Sequence, residues 1–246
     1  MATWIAHLRL AEELLTQLPD LDASQFAIGN IAPDSGIPDD NWENFTPPPA
    51  ITHFQNSLSS QRDNFDLEFY RGYLANVDPS NTPKFSFRLG YFFHLITDNL
   101  WSRLVGRPTM QRLSAKFGAD PKFIWTVKED WYGLDFVYLR DHPDSLFWRV
   151  FLEAQPTAFD LDFISREAIE RQLQYIKTYY QRQDGEIQAL YDRPYIYLSQ
   201  AEMDRFVNQA AVDLRVIHQL LWPKPPDLTG KSSALELLQP TRQRMP

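Results

Sequence analysis

Cysteine is absent from this 246-residue chain, which excludes disulfides, thiolate catalysis and cysteine-ligated zinc. Long apolar runs are missing too. None approaches the roughly 20 residues of a membrane-spanning helix, so no span is expected. Positive charge is scarce: 24 Lys and Arg face 32 Asp and Glu, a net charge of −8. With no basic cluster, duplex nucleic acid is a poor partner on electrostatic grounds, although a bound metal could still bring in a phosphate. The first stretch, MATWIAHLRLAEELL, has no basic region ahead of an apolar one, and Glu12 and Glu13 interrupt it. It reads as a helix rather than a secretory signal, and a cytoplasmic location is the expectation.

What is present is aromatic. The 17 Phe, 11 Tyr and 7 Trp argue for a packed core over most of the length, and the chain is long enough to bury one substantial core. Trp4, Leu8, Ala11, Leu15 and Leu18 form one stripe of a first helix over 4–18, with His7 at its edge. Residues 26–54 are rich in Pro and Gly, which predicts a long, ordered, site-forming loop between helices. Helical spacing of Leu58, Phe65, Phe69 and Tyr73 marks a second helix within 54–76. Phe85–Trp101, FSFRLGYFFHLITDNLW, reads as a buried helix, and Trp131, Leu134, Phe136 and Tyr138 pattern as a short one. Ser165 opens a helix to Tyr180. Ser199-Gln-Ala-Glu202 is a capping box that starts the longest helix, to about Leu221. The expectation is a single compact all-α domain of six or seven helices over 1–222, followed by a Pro-rich polar tail over 223–246.

His94 and Asp98 lie four residues apart on the most apolar of these helices, so both side chains leave one face. A buried imidazole and carboxylate are costly without compensation, and a metal ion would compensate them. His7, Asp34 and His53 are the upstream residues that can join them. Taken singly each has a plainer reading: a packed histidine for His7, a Pro-Asp-Ser-Gly turn for Asp34, an exposed position for His53. Together they make a nitrogen-and-carboxylate donor set without thiolate, which suits hydrolytic zinc. Five ligands exceed one catalytic zinc, so two ions sharing a carboxylate is the natural arrangement. Elsewhere, His218 reads as a packed histidine near a helix C-terminus, His142 as an exposed turn residue, and Arg88, Arg103 and Arg107 mainly as salt-bridging residues, of which one could receive a phosphate. Trp42, Phe54 or Trp131 could wall a pocket.

The stretches TWIAHLRLAEELL, FAIGNIAPDSG, THF and LGYFFHLITDNLW, in that order over roughly the first hundred residues, resemble the zinc-dependent phospholipase C family, and most of all its intracellular bacterial branch. That family is all-α and related in fold to the single-strand-specific zinc nucleases. The resemblance implies that Asp34, His53, His94 and Asp98 surround one zinc, and that Asp98 bridges to a second held by His7. It further implies that water between the ions attacks a phosphate ester, with Asp34 as ligand or general base. Secreted members also use a mature N-terminal tryptophan, where this chain keeps Met-Ala-Thr ahead of Trp4. Their third zinc needs a His-x-x-x-Glu pair, but Leu146 follows His142 and Trp222 follows His218 at that spacing, leaving Asp130 or Asp135 as substitutes. The expected activity is a zinc phosphoesterase acting on a small phosphate ester. The alternative is a non-catalytic or single-metal protein that retains the fold.

Overall fold

Side-chain caps mark where several helices of this chain begin. In the computed structural model, which describes residues 1–41, 43–55, 63–120, 122–157 and 160–238, Thr3 caps α1 (Trp4–Leu15) and Asp22 caps α2 (Ala23–Gly29). Each places a side-chain oxygen on a backbone N–H that would otherwise lack a partner. A 3₁₀ turn, Ala32–Asp34, follows α2, then a two-strand antiparallel ribbon of β1 (Ile37–Pro38) and β2 (Phe45–Thr46), then α3 (Pro49–Thr52). The stretch 26–54 expected as a loop thus opens with the last turn of α2 and continues, in its described residues, through short pieces.

The second helix is shorter than the sequence pattern predicts. Phe54 takes a left-handed φ of 52° and residues 55 and 64 pair as an isolated bridge, so α4 starts only at Asp66 (Asp66–Phe69) and runs into a π-helical turn, Tyr70–Leu74. Leu58, and Trp42 upstream, fall outside the described residues. α5 spans Thr82–Trp101, and every residue from Phe85 to Trp101 is buried. A second π-turn at Ser102–Gly106 leads into α6 (Arg107–Arg112) and α7 (Ser114–Ala119). The helix expected to be short, around Trp131, is instead the 19-residue α8 (Phe123–Asp141). Its first turns carry exposed residues such as Trp125 and give a weak apolar stripe. After a π-turn at Phe147–Phe151 come α9 (Arg166–Tyr180), capped by Ser165, α10 (Gly185–Asp192) and α11 (Gln200–Leu221), which opens with the expected capping box.

The protein is thus all-α, with eleven α-helices among the described residues rather than six or seven, around one continuous hydrophobic core. No described helix is long and apolar enough to cross a membrane. The tail docks: residues 234–238 form a buried 3₁₀ turn against α11, while residues 239–246 lie outside the described set.

The tightest joint is between α2 and α5. A Cβ on Gly29 would collide with the Phe87 carbonyl, and one on Gly90 with the Phe26 carbonyl. The two glycines let the helix backbones touch, and Phe26 meets Phe93 edge-on at 6.1 Å. This crossing carries the chain after Gly29 directly over the middle of α5.

Candidate metal centre

Four separate elements deliver the donors expected from the sequence. His7 comes from the second turn of α1, Asp34 from the end of the 3₁₀ turn, His53 from the residue after α3, and His94 and Asp98 from one face of α5. They converge. His53 Nε2 is 3.2 Å from Asp34 Oδ1, 3.3 Å from His94 Nε2 and 3.6 Å from Asp98 Oδ2. His94 Nε2 is 3.6 Å from Asp98 Oδ2 and 3.9 Å from Asp34 Oδ1. His7 Nε2 faces the other carboxylate oxygen, Asp98 Oδ1, at 3.4 Å. Donors bound tetrahedrally about 2.0–2.2 Å from one ion stand roughly 3.3–3.6 Å from each other. Four of the six separations fall within that spacing, and the widest, His94 to Asp34, exceeds it at 3.9 Å.

Outer contacts fix the rings. Asn30 accepts a hydrogen bond from His94 Nδ1 through its carbonyl at 2.8 Å. That leaves the Nε2 lone pair facing the cluster, the usual device for orienting a metal-binding histidine. His53 Nδ1 sits 3.0 Å from the Thr52 hydroxyl, and the Thr52 carbonyl is held by the Tyr91 hydroxyl at 2.6 Å. Trp4 donates its indole N–H to Asp34 Oδ2 at 3.0 Å. The backbone N–H of Ala2 donates to Asp98 Oδ1 at 2.8 Å. Asn30, Thr52 and Ala2 were not among the site residues read from sequence, and Trp4 was read there as part of the α1 stripe. The first three act through backbone groups or a small hydroxyl, which leave no distinctive signal.

His7 and His94 are fully buried and their rings stack at 3.9 Å, nearly parallel. Both His7 ring nitrogens and Asp98 Oδ2 have no hydrogen bond, an expensive state for buried polar atoms. Burial, with His94 beside it, pushes His7 down to about 4. Burial would raise the carboxyls of Asp98 and Asp34. For Asp98 the chain's amino terminus, His94 and His7 outweigh it; for Asp34 the His53 hydrogen bond and the charges of His94 and His53 do so. Both stay ionised. Burial likewise opposes a charge on His94, but Asp98 and Asp34 raise its basicity. A divalent ion fits this donor set, and the donors fall into two groups, His7/His94/Asp98 and Asp34/His53/His94, each with ligand atoms within 4.8 Å of one another.

The groups differ in access. A cavity of about 350 Å³ opens beside the centre, and of the five donors only Asp34 and His53 line it. Trp4 and Trp131 share its wall with Tyr132, Tyr175 and Tyr179, so the expectation for Trp131 holds. Phe54 packs elsewhere, against Phe69, Tyr73 and Phe163.

Neither carboxylate suggested for a third ion is free to bind one. Asp130 is fully buried, pairs with Arg193 and accepts the backbone N–H groups of Ile196 and Tyr197; it ties α8 to the segment before α11. Asp135 accepts from Thr3 Oγ1 at 2.7 Å and Tyr180 Oη at 2.5 Å. His142 is an exposed turn residue, as expected. His218 stacks on Trp222 at 4.9 Å, and burial lowers its pKa, so packing outweighs the favour of the helix end. Arg88 and Arg107 bind Asp160 and Asp63.

Compared with protein-family models, curated proteins and solved structures, the chain finds no match. The class that fold and site define is therefore an all-α protein with a buried histidine–aspartate centre able to hold a metal ion.

Proposed function

We propose that this protein is a zinc-dependent phosphoric ester hydrolase acting on a small phosphate ester. The observation that carries the reading is the unequal access of the two donor groups. Structural zinc sites are closed, whereas catalytic ones keep a position open to substrate. Here His7 and His94 are sealed, while Asp34 and His53 border an aromatic cavity. A divalent ion held there supplies Lewis acidity toward a phosphoryl oxygen and acidifies water at neutral pH.

The chain's own residues prepare that chemistry. Asp98 turns one oxygen to His7 and the other to His53 and His94, the disposition a bridging carboxylate needs. Asp34 keeps Oδ2 on the Trp4 indole and Oδ1 toward the histidines, so an ionised carboxylate stands at the cavity floor to accept a proton. The acidic surface supports a small ester over duplex nucleic acid.

A second reading has its own support. The sealing of His7, His94 and Asp98 suits an ion that staples α1 to α5 without catalysis. Metal analysis and ester hydrolysis separate the two. Protein with about two zinc ions per chain that hydrolyses a chromogenic phosphate ester supports the hydrolase. About one ion and no turnover supports the staple, and a folded protein with no metal refutes both. Asp98→Asn should strip most of the metal and abolish turnover; unchanged metal content in that variant would refute the bridging role.

A further inference from the structure

The cavity beside the centre has one cationic side chain in its lining, Lys128. It belongs to α8, which presents Trp125, Lys128, Trp131 and Tyr132 to the cavity at helical spacing. The ammonium sits over the Trp125 ring, 4.8 Å from its centroid. It makes no hydrogen bond or ion pair among the described residues. Asp34 and Asp98 still feel its charge: burial lowers the Lys128 pKa while those two carboxylates pull it up.

This is an uncommon state for a lysine. A half-buried ammonium near two ionised carboxylates ordinarily closes onto one of them, because a salt bridge recovers part of the lost hydration. Here Asp34 is already held by Trp4 and His53, and Asp98 by the Ala2 N–H and the histidines. Lys128 lines the same cavity as Asp34, with its ammonium donors unused among the described residues. The space between an ammonium and a metal-binding floor suits an anion. Once an ion cancels the two carboxylate charges, Lys128 is left as the uncompensated side-chain charge of the lining.

We infer that Lys128 binds the anionic group of the substrate, seating a phosphoryl oxygen between its ammonium and the Asp34–His53 side of the cavity. The inference rests on the hydrolase reading above and adds the residue that recognises the phosphate. The neighbouring aromatic rings then receive the organic part of the ester, and Trp125 steadies the ammonium from behind by a cation–π contact. A cavity of about 350 Å³ lies near the lower end of ligand pockets, roughly 300–1,000 Å³, so the ester it takes is small.

The test is calorimetric titration of inorganic phosphate into the wild-type protein, Lys128→Met and Lys128→Arg, with zinc content measured on each sample. Lys128→Met keeps the apolar stem and removes the charge, and Lys128→Arg keeps the charge. The expected result is equal zinc in all three, phosphate affinity weakened at least roughly tenfold in Lys128→Met, and most of it regained in Lys128→Arg. Should the arginine variant fold poorly, protection of the wild-type Lys128 amine from an acylating reagent by phosphate, read by mass spectrometry, gives the same answer. Zinc-loaded Lys128→Met that binds phosphate within about twofold of wild type overturns the assignment and leaves the hydrolase reading standing. Wild-type protein with zinc but no phosphate affinity also overturns it. Absence of zinc uptake overturns the hydrolase reading instead, and the same comparison on zinc-free protein then decides Lys128 alone.

Discussion

Trp4 and Asn30 hold their partners in the centre from the outside, through one indole N–H on Asp34 and one carbonyl on His94. Outer partners of this kind typically change metal affinity about 10–100-fold when lost. Trp4→Phe keeps the ring packing against Tyr132 and Tyr175 and deletes only the donor. It should weaken zinc binding by about tenfold, measured by competition with a chromogenic chelator, with little change in melting temperature. The buried Asp135 supplies a pH prediction. Burial raises its carboxyl to about 7 despite hydrogen bonds from Thr3 and Tyr180. The unfolded chain ionises this group near 3.8, so its contribution to stability is complete below that value and is lost as pH rises through about 7. The stability of wild type minus that of Asp135→Asn should therefore fall with rising pH by on the order of 1 kcal/mol per unit across that window. Urea denaturation at several pH values checks the slope, and a flat difference would contradict it. His94 and Asp98 were legible because both ligands sit on one helix at a fixed spacing. Asp130 and Asp135 misled because a carboxylate in a helix pattern looks the same whether it faces a metal, an arginine or a hydroxyl.

At the scale of elements, the crossing of α2 and α5 sets the centre. Gly29 precedes Asn30, whose carbonyl orients His94, so any separation of the helices moves that ring. In an open helix, replacing glycine by alanine gains up to about 1 kcal/mol. At this joint the added Cβ meets the Phe87 carbonyl, and the overpacking costs about 1–3 kcal/mol. Gly29→Ala should thus destabilise the protein and lower its zinc affinity together. Gly118→Ala, in α7 with open space around the new methyl, should stabilise slightly and leave zinc alone. Denaturation midpoints paired with zinc titrations distinguish the two. The strong elements were legible: α1, α9 and α11 bury regular stripes and carry side-chain caps, and α5 is buried all round from Phe85 to Trp101. The weak ones were not. α8 hides its length because Trp125 and its neighbours are exposed, and the helix over 54–76 shrank because Phe54 turns left-handed, which no apolar spacing reveals.

The whole molecule closes through its last described segment. Asp66, fully buried, accepts the Ser233 hydroxyl at 2.6 Å, the Ala234 N–H at 2.7 Å and the Asn99 amide at 3.0 Å. One carboxyl therefore ties the tail to α4 and to the residue after Asp98. The docked turn buries Ala234, Leu235, Leu237 and Leu238, so the end of the described tail joins the core, while residues 223–227 of the expected polar tail stay exposed. Asp66→Ala would leave three donors facing an apolar gap, and a single orphaned buried donor costs about 1–3 kcal/mol. The expected loss is on the order of 3 kcal/mol, read as a lower urea midpoint and as proteolysis near residue 230. Zinc content should persist, because none of the five donors touches Asp66. Ending the chain after Gly230 should cost more, since the leucines go too. Adding Asp66→Ala to that shortened chain should then cost less than it does in the full one, because two of its three partners are already gone. Strict additivity would show instead that Asp66 and the tail stabilise the fold separately.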